Sequence, residues 1–275
     1  MEPEPDRGRR LLCFGAHPDD CEIKSAGLAA LWTRAGRQAR FVALTDGSAG
    51  HHELAGEPLV RRRRAEAAVG ARAAGADSVI MDNADGMLLP TLENRFRVIR
   101  EIRLFRPDVI VCPRTSDYHP DHRYTGVIVQ DACYLLKVPN IVPLVPVPDR
   151  DPVVLFMYDH FTRPEPLRPD VVVNIDPVLA AKLAAVRAHE SQVLEWLPWI
   201  GGYAGEMPDD QAGRQAYADQ RVITAAREVA DRYRAALVAR YGAETGTSVR
   251  HAEAYEVSEY AAPLTEQASA ALFPF

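Results

Sequence analysis

Two short segments concentrate side chains that could do chemistry. Gly15-Ala16-His17-Pro18-Asp19-Asp20 sets one imidazole beside two carboxylates, and Asp117-Tyr118-His119-Pro120-Asp121-His122 sets two imidazoles beside two more. Imidazole and carboxylate together suit a borderline divalent cation such as Zn²⁺, and a catalytic zinc usually takes three protein ligands and keeps one position open. His17, Asp20 and His122 supply that number. Taken alone, the first segment reads almost as well as an Asx-type turn capping a helix, with His17 solvated. A second cluster of the same kind favours the metal reading.

For both clusters to meet, they must leave one edge of one sheet, and the hydrophobic pattern provides this. Short apolar runs at 11–16, 40–44, 78–81, 108–112, 153–158 and 171–174 read as strands, alternating with amphipathic stretches at about 25–35, 59–74, 92–105 and 125–137 that read as helices. This is the pattern of an α/β fold with a doubly wound, mostly parallel, Rossmann-like sheet, in which ligands bind at the carboxyl ends of the strands. The first cluster follows the first strand and the second follows 108–112. Further helical stretches at roughly 177–195 and 210–241, separated by the Pro/Gly/aromatic loop 196–210, are expected to cap the sheet. No linker divides residues 1–275, so one domain is expected, its core spanning about 10–195 and its helical cap about 177–245. The Pro-rich stretch 139–152 reads as a surface connection.

Composition narrows the partners. With 47% hydrophobic and 25% charged residues the chain can bury a sizeable core, and its formal charge of −6 offers no cationic field for nucleic acid or an anionic membrane. Cys13, Cys21, Cys112 and Cys133 form no CxxC pair, the opening MEPEPDRGRR lacks an apolar leader, and no run of 18 apolar residues occurs. A reduced, soluble, cytoplasmic protein acting on a small molecule is expected, with a homo-oligomer left open. Two other classes fit less well. A dinucleotide-binding module would carry GxGxxG where this chain has His-Pro-Asp-Asp, and a structural zinc site is usually closed by four Cys or His ligands.

Ala16-His17-Pro18-Asp19-Asp20, together with His119-Pro120-Asp121-His122 and the following Thr125-Gly126, resembles the PIG-L/LmbE-like N-acetylglucosaminyl deacetylases. Thr45-Asp46-Gly47-Ser48-Ala49-Gly50, Arg63-x-x-Glu66, Asp85-Gly86 and His189-x-Ser191-Gln192 extend the resemblance over roughly residues 10–195. It implies zinc held by His17, Asp20 and His122, Asp19 as general base, and His119 as acid or oxyanion stabiliser. Asp85 would contact substrate, and Arg63, picked from the run Arg61–Arg64 by its spacing to Glu66, would donate to substrate hydroxyls. Asp121 is expected to accept a ring N–H from one of the histidines flanking it. The implied reaction removes acetate from an N-acetylglucosamine-like sugar on a small glycoconjugate; cleavage of a related glucosaminyl thiol conjugate is the alternative. His189 stays outside the catalytic set. Lys24 departs from the family pattern by replacing a small residue, and Cys21 beside Asp20 is a rival thiolate ligand.

Overall fold

The computed structural model describes residues 8–275; most of the opening segment read for a leader lies outside the described residues. Seven strands among the described residues form one sheet: β1 (Arg10–Gly15), β2 (Gln38–Thr45), β3 (Asp77–Asn83), β4 (Val109–Cys112), β5 (Val153–Met157), β6 (Val171–Asn174) and β7 (Ala252–Val257). Their order is β3-β2-β1-β4-β5-β7-β6, with β1 to β5 mutually parallel. The chain runs outward from β1 to β3 and then returns to the other side of β1 to lay down β4. The resulting switch between β1 and β4 is where an open α/β sheet forms its ligand crevice.

Side-chain alternation along β1 divides the core between the two faces of the sheet. Leu11 and Cys13 pack with α1 (Asp20–Arg34), α2 (Glu57–Ala73) and α5 (Leu179–Arg187), whereas Leu12 and Phe14 pack with α3 (Leu92–Phe105) and α4 (Pro120–Leu135). All four of these β1 side chains are fully buried, and Leu11, Leu12 and Phe14 each stabilise the fold by about 1.5–3 kcal/mol.

Two helices begin one turn earlier than the periodicity predicts, and both early turns carry site residues. α1 starts at Asp20 instead of near 25, and α4 starts at Pro120 instead of 125. Pro120 suits the first helical turn because its fixed φ and missing N–H cost nothing there, and His119 caps the helix by accepting from the Asp121 amide through Nδ1 (3.2 Å).

The C-terminal third departs further from expectation. The stretch read as one helix over 177–195 consists of a 3₁₀ turn, α5 and a π-helical turn at Ser191–Trp196, and the short α6 (Leu197–Ile200) falls within the stretch read as the loop 196–210. The stretch read over 210–241 is broken at Tyr233 into α7 (Gln211–Arg232) and α8 (Arg234–Tyr241), followed by α9 (Ala243–Ser248). Val229, Ala230 and Leu237 pack against Val172, Ala252 and Ala254 of β6 and β7. A final helix, α10 (Glu266–Leu272), lies after β7.

β7 has no counterpart among the expected strands. It inserts antiparallel between β5 and β6, pairing Met157 with Tyr255 and Asn174 with Ala252. Its buried Glu253 obscures the apolar pattern, and its burial is stabilised by a dense set of partners. The carboxylate takes Lys182 Nζ at 2.5 Å and accepts from the amides of Gly27 (3.0 Å) and Leu28 (2.8 Å) and the Tyr255 hydroxyl (2.8 Å). Lys182 also donates to the Ile23 carbonyl (2.9 Å), and the Tyr255 hydroxyl oxygen lies 3.3 Å from that of Lys24. Those carbonyls are the regular i−4 partners of the Gly27 and Leu28 amides, so side chains from α5 and β7 are wedged into the ladder of α1. Gly27 makes this approach feasible, since a Cβ there would lie 2.8 Å from Glu253 Oε1.

Candidate active site

The loops leaving β1 and β4 meet at the switch point. His17 Nδ1 lies 3.3 Å from His122 Nε2 and 3.6 Å from Asp20 Oδ2, and His122 Nε2 lies 3.4 Å from Asp20 Oδ1. Asp20 is fixed by its position at the start of α1, where Oδ2 accepts from the amides of Ala16 (2.8 Å) and His17 (2.9 Å). That leaves Oδ1 directed at His122. Burial pushes the Asp20 carboxyl up, and the two imidazoles more than reverse this, holding it well below the ordinary carboxylate range.

The far nitrogen of each imidazole faces carboxylate. His122 Nδ1 meets Asp117 Oδ1 at 3.0 Å, while His17 Nε2 faces Asp85 Oδ1 at 3.2 Å and Asp121 Oδ2 at 3.4 Å. Burial alone would lower both imidazoles; instead these carboxylates and Asp20 raise His17 well above its usual value and His122 to about 9. Two ring nitrogens facing each other beside a carboxylate need a positive charge between them. A divalent cation supplies that charge as well as a proton does, so the donor set fits a metal. Two triplets bring one donor atom from each residue within 4.8 Å of the others, His17/His119/His122 and His17/Asp85/Asp121, while Asp20 approaches the two imidazoles through different carboxylate oxygens. In the first, His119 Nδ1 already accepts the Asp121 amide, which leaves the ring proton on Nε2. The second uses the carboxylates on the far side of His17.

The Asp121 carboxylate accepts from neither histidine beside it in sequence; only its backbone amide reaches one, His119. Its fully buried carboxylate accepts from the amides of Gly86 (2.7 Å) and Leu88 (3.3 Å) and faces His17 from another loop. Successive helical side chains diverge by about 100°, which carries Asp121 away from His122. The carboxylate behind His122 is Asp117, present in the sequence cluster but given no role there.

Arg63 also lies elsewhere than its sequence reading implies. Its guanidinium is buried in the site wall, with Nη2 donating to Asp19 Oδ1 (2.9 Å) and Nη1 lying 3.6 Å from Asp85 Oδ2. Asp85 is thus placed between His17 and Arg63 and is itself buried. Glycine makes room for the guanidinium: Gly47 adopts φ 73°, and a Cβ on it would sit 2.7 Å from Arg63 Nη1, with Gly50 nearly as close at 2.8 Å. Glu66, one turn on, accepts from the amide (2.9 Å) and hydroxyl (2.5 Å) of Ser191, and Gln192 donates to the Gly50 carbonyl (3.0 Å). The late Ser191-Gln192 segment thus buttresses the loop after β2.

His189 is completely buried, with Nε2 3.4 Å from Glu22 Oε1. Cys21 gives the thiolate alternative no support. Its Sγ donates to the Cys13 carbonyl (3.4 Å) inside the core, and burial pushes the thiol well above its ordinary range. Lys24 donates to the Tyr158 carbonyl at 3.2 Å, joining α1 to the end of β5. All four cysteines are free and buried, and no helix among the described residues is long and apolar enough to cross a membrane.

Comparison with known proteins agrees with this geometry. Residues 12–133 match the family described as PIG-L: GlcNAc-PI de-N-acetylase. Diacetylchitobiose deacetylase of Thermococcus kodakarensis is 33% identical over 217 residues, covering 72% of this chain and 79% of the relative. The fold is shared with an N,N'-diacetylchitobiose deacetylase from Pyrococcus horikoshii (TM-score 0.71, 23% identity, 92% of this chain and 85% of the other). It is shared equally with the 4-carboxy-2-hydroxymuconate hydratase GalB of Pseudomonas putida (TM-score 0.71, 19% identity, 94% and 98%), so the fold alone does not specify a reaction. The sequence relationship does what the fold cannot: the chain belongs to the PIG-L family and is a hydrolase of the de-N-acetylase type.

Proposed function

We propose that this protein hydrolyses the acetamide of an N-acetylglucosamine-like amino sugar carried on a small glycoconjugate, releasing acetate and a free amine, with Zn²⁺ held by His17, Asp20 and His122. The observation that carries this reading is the approach of His17 Nδ1, His122 Nε2 and the Asp20 carboxylate to 3.3–3.6 Å of one another while the far nitrogen of each ring faces carboxylate. When bound, the ion supplies Lewis acidity and lowers the pKa of water toward neutrality.

Around that position the chain divides the proton work. Asp19, oriented through Oδ1 by Arg63, keeps Oδ2 to take a proton from the attacking water and return it to the departing nitrogen. His119 serves as donor to the developing oxyanion. Burial lowers its pKa and so favours the neutral ring, and because Nδ1 accepts from the Asp121 amide, the proton resides on Nε2. Asp85 and Asp121 orient His17, and Asp117 orients His122. Four buried thiols without a disulfide fit a reducing compartment, and we place the protein in the cytoplasm.

Elemental analysis and amine release test the two halves separately. His17→Ala and His122→Ala should each lose metal while remaining folded; full retention by both overturns the ligand assignment. Metal-loaded wild type should release amine from at least one member of a panel of N-acetylglucosaminides, and release from none overturns the reaction. Asp19→Asn should keep its metal and lose on the order of 10²–10⁴-fold in rate.

A further inference from the structure

The segment His189-x-Ser191-Gln192 takes no part in the chemistry above, yet its polar side chains reach three different elements that bear on Arg63. Gln192 donates to the carbonyl of Gly50, which packs against the Arg63 guanidinium. Ser191 donates to Glu66, one turn along α2 from Arg63. His189 meets Glu22, one turn along α1 from Asp19, the partner of Arg63.

The His189–Glu22 pair is sealed from water. The side chains are 0% and 3% exposed, and Nε2 lies 3.4 Å from Oε1. Neither ring nitrogen of His189 nor Glu22 Oε1 makes a regular hydrogen bond among the described residues, so charge holds the pair together. Gly70 permits the contact. It shares the face of α2 that carries Arg63 and Glu66, and a Cβ there would lie 2.9 Å from His189 Nε2 and 3.2 Å from Glu22 Cγ. Burial alone would lower the imidazole; Glu22 and, to a smaller degree, Asp19 raise it above its ordinary value against the opposing charge of Arg63, which favours the imidazolium. A well-packed apolar pair would fill the same space at least as stably, so stability alone does not account for buried charges here.

Two buried carboxylates therefore stand one turn apart at the start of α1, each with its own cation: Arg63 for Asp19 and His189 for Glu22. We propose that His189 is a positioning residue for the catalytic base, neutralising Glu22 as an imidazolium so that Arg63 is left to Asp19 and Asp85. With a neutral side chain at 189, Glu22 would repel Asp19 and compete for Arg63. His189 acts through this pair and not on the substrate. The role rests on the de-N-acetylase reading, in which Asp19 is the base.

The test compares wild type, His189→Gln and the double variant Glu22→Gln/His189→Gln, each loaded with metal and assayed for amine release from N-acetylglucosaminides. His189→Gln should lower kcat about 10-fold with KM within about twofold of wild type, since only the presentation of Asp19 is disturbed. The double variant, which leaves no uncompensated carboxylate at 22, should return kcat to within about threefold of wild type. A packing role predicts no such recovery, and its absence would overturn the proposal, as would full activity in His189→Gln. Two NMR readings need no turnover. At pH 7 the wild-type His189 ring should carry a proton on both nitrogens, and the buried Arg63 Nε–H resonance should move in His189→Gln and return in the double variant. A neutral ring, or an Arg63 resonance indifferent to residue 189, would overturn it. If His189→Gln does not fold, the wild-type ring and the kcat of the double variant decide. If wild type releases amine from none of the sugars, the reaction fails, while the two resonances still decide whether His189 holds Arg63 to Asp19.

Discussion

Replacing Arg63 with alanine separates two accounts of this residue. From sequence position alone it reads as a donor to substrate hydroxyls, and its loss should raise KM. In the folded protein the guanidinium contacts Asp19 at 2.9 Å and lies 3.6 Å from Asp85, with the Arg63 and Asp19 side chains only 2% and 8% exposed. Removing one partner of such a buried pair costs about 3–5 kcal/mol, because the carboxylates left behind are neither solvated nor neutralised. For a chain of this length that lowers Tm by roughly 10 °C. The kinetic effect follows from Asp19 losing the donor on Oδ1: a displacement of about 1 Å in a catalytic group is worth about 10²-fold. We therefore expect Arg63→Ala to lower kcat about 10²-fold, with KM within about twofold of wild type and metal content retained. Steady-state kinetics, elemental analysis and a thermal melt on one preparation provide all three readings. A raised KM at constant kcat would refute the reasoning and return Arg63 to the substrate; metal lost in step with activity would show that the site had collapsed.

Three further outcomes follow from the same geometry. Asp117→Ala should weaken metal binding about 10–100-fold by freeing the far side of His122, and unchanged affinity in chelator competition would contradict that role. Because His122 is raised to about 9 in the metal-free protein, it carries a proton at pH 7 that an entering cation must displace, so affinity should rise with pH up to about 9. The sign for stability is opposite: the metal-free fold gains from this group in full below about pH 6.5 and loses the gain as pH rises through about 9. Calorimetry in buffers of different ionisation heat should detect the released proton, and identical heats would exclude it. Arg103→Met should lower Tm by roughly 10 °C without altering turnover of the folded fraction, since Arg103 donates to the carbonyls of Leu135, Leu136, Val138, Ile141, Val142 and Val145 far from the site; a shift below about 2 °C would mean that water replaces the guanidinium.

What could be read from the sequence was what is local to a strand and the loop it feeds. His17 and His122 each lie just beyond an apolar run, and parallel alternation of strands and helices is enough to send both loops to one edge. Pairings between elements left no such trace. Arg63 and Asp19 are 44 residues apart, and nothing in Arg61–Arg64 says which guanidinium turns inward or that it meets a carboxylate there. Asp121 was misread for a geometric reason, adjacency in sequence standing in for adjacency on a helix. β7 was hidden because Glu253 marks it as polar, and only Lys182 and the α1 amides make that carboxylate a core residue.

The wedge at α1 bears on the order in which a nascent chain can mature. Every residue proposed to act on the metal or the proton lies before residue 123, yet the helix that begins with Asp20 is tied at Gly27 and Leu28 to a carboxylate that leaves the ribosome some 225 residues later. Among the described residues β6 likewise has only β7 as a sheet neighbour. During synthesis the first four strands and both metal-site loops exist well before the strand that closes the sheet. Until β7 arrives, Lys182 faces α1 without its counter-ion and β6 has no partner. A chain halted at 248 would contain the whole reaction inventory on an unlocked helix, and should bind metal loosely; tight binding by that fragment would show that the lock is dispensable.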